Sequence, residues 1–166
     1  MFAVGEKVLY SVNGVCEITG ITQKVFGKTK IDYYVLKPIF NEASTVFVPV
    51  GNDALVKKMK KLMSPQQLDE VFDSVSVAEV EWIEDEIKRR QNFKDVISSG
   101  IVEDILVILK ALWNHRKSQN EKGRKLHISD EIFLKEAEKM IKEEISCVIG
   151  VEKEDVIPYI QNKIMN

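Results

Sequence analysis

Residues able to do chemistry are few in this chain and poorly spaced for it. The two histidines, His115 and His127, stand twelve positions apart, and neither has a cysteine at metal-ligand spacing. Cys16 and Cys147 are far apart and form no CxxC pair, so two reduced thiols are expected. No GxSxG elbow occurs, and the eight glycines are scattered rather than gathered into a phosphate-cradling loop. Acids are plentiful but sit among lysines. Asp130 and Glu131 follow Ser129, where acids suit a helix dipole and need no catalytic role. With no nucleophile–base or metal constellation, the expectation is no enzyme, no cofactor and no metal. Binding remains.

The candidate binding residues are aromatic and basic. Residues 78–93 read AEVEWIEDEIKRRQNF, with Trp82 among acids and Lys88, Arg89 and Arg90 beyond it. At about 100° per residue, Arg89, Arg90, Phe93 and Ile97 would all fall within roughly 80° of Trp82 on a helix. That arc mixes apolar and cationic side chains. Trp82 is therefore either a contact for an outside partner or a packing residue. Lys94 lies on the same stretch. A second basic group is Arg116 and Lys117, then Lys122, Arg124 and Lys125. Residues 1–62 carry nine Lys/Arg and five Asp/Glu, a balance of +4; residues 63–166 carry fifteen and twenty-one, a balance of −6. Within that acidic half, residues 88–125 carry ten and four, a balance of +6. Such an embedded basic segment fits either a polyanion contact or solvated helix faces.

Two kinds of element must position these residues. The first sixty residues are rich in β-branched and aromatic types with frequent turns. EKVLY is a short strand, Asn13-Gly14 a tight turn, and GVCEITGITQKVF a long strand with Gly20 as a bend or bulge. KIDYYVLKP sets Ile31, Tyr33 and Val35 against Asp32, Tyr34 and Leu36. STVFVPV sets Val46, Val48 and Val50 against Thr45 and Phe47. LVKKMKKL could be strand or helix. From SPQQL onward the chain reads helical, with Ser64 as N-cap, Pro65 at the first helical position and Gln67 completing a capping box. Val102, Ile105, Leu106, Leu109, Leu112 and Trp113 form a 3.6-period core stripe. Ser129 is expected to cap a fourth helix that Gly150 ends, and Pro158 to sit in the first turn of a last one. The predicted fold is α+β, a small β-barrel of about five strands over residues 1–62 followed by an all-α domain over 63–166.

Composition bounds the setting. At 166 residues, 45% hydrophobic and 30% charged, the chain is an ordinary globular composition. No apolar run approaches a bilayer span, and the N-terminus lacks a basic segment followed by an apolar one. The expectation is a cytoplasmic monomer with no membrane contact.

VGEKVLYSVNGVCEITGI, then DYYVLKP, then TVFVPV, in that order, resemble the RNA-polymerase-interacting module of the CarD/CdnL-like bacterial transcription regulators, which transcription-repair coupling factor shares. EWIEDEIKRRQNFKDVISSG and the helical stretches after it resemble the helical domain of those regulators more loosely. The resemblance implies an SH3/Tudor-like barrel that docks on the RNA polymerase β subunit, largely by edge-strand pairing. Lys24, Val25, Phe26, Thr45 and Phe47 stand at the contact positions, with Phe47 where relatives carry a basic residue. It further implies helical-domain contact with promoter DNA at the upstream edge of the melted region, stabilising the open complex. Trp82 would press on the minor groove, and Lys88, Arg89, Arg90, Lys94, Lys122, Arg124 and Lys125 would lie on phosphates, without reading sequence. The competing expectation is an adaptor whose acidic helical half recruits another protein and leaves DNA untouched.

Overall fold

The computed structural model describes residues 1–10 and 13–165. Ser11 and Val12, which precede Asn13-Gly14 in the sequence, and Asn166 lie outside the described residues. Two compact units divide the chain, Met1–Met63 and Ser64–Asn166.

Alternation of side chains builds the first unit. Its strands are β1 (Lys7–Tyr10), β2 (Val15–Phe26), β3 (Thr29–Pro38), β4 (Val46–Pro49) and β5 (Met59–Lys61), with a short helix α1 (Asp53–Val56) before β5. Residues 55–62, ambiguous in sequence, thus divide between the end of α1 and β5. All pairings are antiparallel, and the order is β4-β3-β2-β1-β5. The expected barrel is a curled open sheet: among the described residues β4 and β5 are its two edges and do not pair. Val48 from one edge and Met59 from the other still share one core with Val8, Cys16, Ile18, Tyr34 and Leu36. Each fully buried Leu or Ile there contributes about 1.5–3 kcal/mol. The β2–β3 register shifts between Ile18 and Gly20, which makes a bulge. Beyond it the hairpin runs past the core, and Lys24 through Lys30 are all exposed. Gly27, at φ +63, supplies the left-handed residue that the hairpin tip requires.

The second unit packs five helices: α2 (Pro65–Val77), α3 (Glu86–Ser99), α4 (Val102–Glu121), α5 (Ile128–Ile149) and α6 (Lys153–Ile164). Ser64 and Gln67 close the capping box on α2. The stripe from Val102 to Trp113 is buried as its period requires, and Trp113 Nε1 donates to Glu138 at 2.9 Å.

Three local expectations change. Residues 78–85 are not helical; Asp85 caps α3 instead, accepting from the N–H groups of Ile87 and Lys88 at 3.0 and 3.1 Å. The helix α5 starts one residue after His127, whose ring accepts from the Ser129 N–H, so Ser129 is inside the helix rather than its cap. Pro158 lies in the interior of α6, where its missing N–H leaves one carbonyl without its helical donor.

Candidate functional site

The outer face of the sheet carries an aromatic layer with a cation on it. Register places Thr22 opposite Tyr33 and Val35 opposite Phe47, so alternate residues of β2, β3 and β4 share this face. The Tyr33 and Phe47 rings meet edge to face at 6.4 Å. Lys24 Nζ lies 3.8 Å from the Phe47 ring centroid and 5.7 Å from that of Tyr33. An exposed cation over a ring in this way contributes about 0.5–1 kcal/mol and holds the lysine head in place. Phe47 remains 41% exposed and Phe26, of the same parity as Lys24, 56%. Thr45 is exposed just before β4. Val25 points to the opposite face of the hairpin, so the five candidate residues of this unit do not form one patch.

The two sheet edges differ in chemistry. The Val50 N–H donates to the Asp32 carbonyl at 2.9 Å, which fixes Val46, Val48 and Val50 as the residues bonded inward to β3. By the alternation of an antiparallel ladder, the N–H and C=O of Phe47 then point outward from the edge. Val-Phe-Val-Pro has no charge to repel an added strand. At the other edge, β5 and the turn before it carry Lys57, Lys58, Lys60 and Lys61, a common guard against edge pairing.

In the helical unit, Arg89 is not a phosphate contact. Its guanidinium is buried at 6% exposure and bidentate on Asp130, Nε to Oδ1 at 2.9 Å and Nη2 to Oδ2 at 3.0 Å. Nη1 donates to the carbonyls of Ile83 and Glu84 at 2.9 and 3.3 Å. Asp130, expected only to suit a helix dipole, is thus the buried partner that fixes α3 to α5.

Trp82 does not stand out as a free wedge either. Its ring is half-buried, stacked on the His115 imidazole at 3.7 Å and 4°, near Phe93 at 6.3 Å, with Arg89 4.7 Å from its centroid. The helical arc computed from sequence does not apply, because residue 82 lies in the extended segment. That segment is held on its other side by Lys110, whose ammonium donates to the carbonyls of Val75, Ser76 and Ala78 at 2.9–3.0 Å. Burial lowers the pKa of His115 below 6.5; the nearby cations Arg89 and Lys122 act in the same direction, while Asp130 and Glu84 oppose it.

The other basic candidates are at the surface. Lys88, Arg90 and Lys94 are exposed on α3, and Arg90 pairs with Glu86 at 2.7 Å. Lys122, Arg124 and Lys125 are exposed where α4 leads into α5. Glu86 Oε1 also lies 3.7 Å from His127 Nδ1. That contact brings the start of α3 against the start of α5. Lys117 is exposed and Arg116 half-buried farther along α4.

Sequence reasoning missed Tyr33, Lys110, His115 and Asp130 as partners. Tyr33 could have been found by giving it the parity of Phe47 across the β3–β4 pair. The others act between elements distant in sequence and leave no local signal. Among the described residues no group of three or more His, Cys, Asp or Glu could hold a metal, and no helix is long and apolar enough to cross a membrane.

The family model of the CarD-like/TRCF RID domain matches residues 2–63, nearly the whole sheet unit. No curated protein gives a significant match to the chain. The match, the five-stranded antiparallel sheet and the bare β4 edge concern the same residues: residues 2–63 match the CarD-like/TRCF RID domain, an RNA-polymerase-interacting domain.

Proposed function

We propose that this chain is a polymerase-anchored transcription regulator. The β4 edge docks on the RNA polymerase β subunit, with Phe47 offering its backbone to a partner strand and Lys24, Thr45 and Phe26 contacting alongside. The helical unit then holds promoter DNA at the upstream edge of the melted region and lengthens the life of the open complex. Lys88, Arg90, Lys94, Lys122, Arg124 and Lys125 lie on phosphates without reading sequence. The observation that carries this reading is the asymmetry of the sheet: one edge is lysine-guarded, and the other is uncharged and aromatic.

The test is retention of the full chain on immobilised β subunit. Phe47→Asp should reduce binding at least tenfold while the melting temperature changes little. Wild-type retention by that variant would remove the β4 edge from the interface.

A second reading is an adaptor whose helical unit recruits another protein. The −6 balance of residues 63–166 and the packed Trp82 favour it. The readings separate on the triple reversal Lys122→Glu, Arg124→Glu and Lys125→Glu. A shorter-lived open complex supports DNA contact; an unchanged and salt-insensitive one supports the adaptor.

A further inference from the structure

Residues 79–84, which lead from α2 to the cap of α3, form a strap without main-chain pairing. Among the described residues no backbone–backbone hydrogen bond involves them. Side chains pin the strap at its two ends: Lys110 on the carbonyls of Val75, Ser76 and Ala78, and Arg89 on those of Ile83 and Glu84. Between the pins its large anchor is the half-buried Trp82 ring, stacked parallel on the His115 imidazole at 3.7 Å. A recess of about 60 Å³ lies between Val80, Trp82 and Ile83 of the strap and Phe93, Val107 and Ile108 of α3 and α4. A gap of this kind weakens the dispersion that would press the strap onto the helices.

The stack on Trp82 suits a neutral imidazole. The charged groups facing His115 come from four places: Asp130 on α5, Arg89 on α3, Glu84 on the strap itself and Lys122 just past α4. Asp130 is already bidentate on Arg89, and Arg89 already lies 4.7 Å from the Trp82 centroid. A second cation on that ring would gain cation–π attraction but would meet partial burial, Arg89 and Lys122. His115 Nε2 also faces Gln119 Nε2 at 3.1 Å, while Gln119 Oε1 is buried without a partner. In this arrangement the amide donates to a neutral ring, and a proton on Nε2 would set donor against donor. Turning the amide over would relieve that clash, but neither the burial nor the cations. Burial above all, with Arg89 and Lys122, therefore lowers the pKa of His115 below 6.5.

We infer that residues 79–84 are a proton-released strap: uptake of a proton by His115 lifts Trp82 and opens the strap, while the helices behind it stay packed. The strap yields first because α3, α4 and α5 are held by their own ladders and a buried apolar core, whereas the strap has neither. Once it is open, His115 meets water and returns to its ordinary value near 6.5. The closed form is thus whole above about 6.5 and loses ground as pH falls below that value toward the folded pKa. This inference concerns the helical unit alone and depends on neither functional reading above.

The test follows the full chain, labelled with fluorotryptophan, by fluorine NMR from about pH 8 to about pH 5. Trp82 and Trp113 are the two tryptophans of the sequence, so Trp82→Phe assigns both signals. Contact with solvent is read as the shift between light and heavy water, which the charge of a neighbouring ring does not mimic. As pH falls below about 6.5, the Trp82 signal should gain the full solvent shift of an exposed indole. Trp113, buried with Nε1 on Glu138, should not change, which separates strap opening from unfolding. His115→Phe keeps a ring on Trp82 and takes no proton, so its Trp82 signal should stay as it is at high pH. Three results would overturn the inference. They are a Trp82 solvent shift that stays constant in the wild-type chain, one that grows only together with that of Trp113, and one that grows equally in His115→Phe. The wild-type series decides the first two without the variant.

Discussion

Arg89 ties together three pieces of the helical unit: the α5 carboxylate of Asp130, the carbonyls of residues 83 and 84, and the Trp82 ring. Removing one member of a buried pair strands the other charge, at a cost of about 3–5 kcal/mol. Arg89→Ala should therefore lower the unfolding free energy of the helical unit by that amount in urea titration. The double change Arg89→Met with Asp130→Leu should recover most of it, since no unpaired charge remains. His115 gives a pH signature. Its folded pKa is lowered, so the unfolded chain takes up the proton first as pH falls. The contribution of neutral His115 is whole above about 6.5 and is lost as pH drops below that value toward the folded pKa. The urea midpoint of the helical unit should fall across this window, and His115→Phe, which keeps a ring on Trp82, should remove that part of the fall.

Between α2 and α3 the chain is fastened by side chains rather than by its own hydrogen bonds. Lys110 holds the end of α2 and the carbonyl of Ala78; Arg89 holds residues 83 and 84. Lys110→Met should cost about 1–3 kcal/mol by leaving those carbonyls without their donor. Amide exchange should then rise in residues 76–85 before it rises in α4. In α6, Pro158 is exposed and interior, so Pro158→Ala should raise the melting temperature, by roughly 1–3 kcal/mol of stability. Much at this scale was readable from sequence because it is periodic or locally capped. The valines of β4, Tyr34 with Leu36, the α4 stripe and the Ser64–Gln67 box are all decided by neighbours within a few residues. Residues 78–85 were not readable. Their conformation depends on donors at 89 and 110 and on a ring at 115, none of which local propensity can sense. The same remoteness placed Arg89 among the phosphate contacts and left Trp82 open between packing and an outside contact.

At the scale of the whole chain, two units carry two kinds of surface. The sheet unit offers backbone groups and rings, whose attraction salt weakens little. The helical unit offers cations set in an acidic background, whose attraction salt weakens steeply. On the polymerase-anchored, DNA-contacting function proposed above, raising ionic strength should shorten open-complex lifetime well before it releases the chain from polymerase, a separation that titrating salt in both assays would measure. The sheet surface was legible in sequence, since strand parity already set Phe47 apart from the valines; the helical surface was legible only as charge, because which cations are exposed depends on packing. The guarded and bare edges of the sheet also set a valence. A strand that joins β4 meets a layer whose far side disfavours extension, because β5 has four lysines in or beside it. On the docking proposed above, the sheet has a single acceptor position, so one chain would seat on one partner strand and would not bridge two through the same sheet.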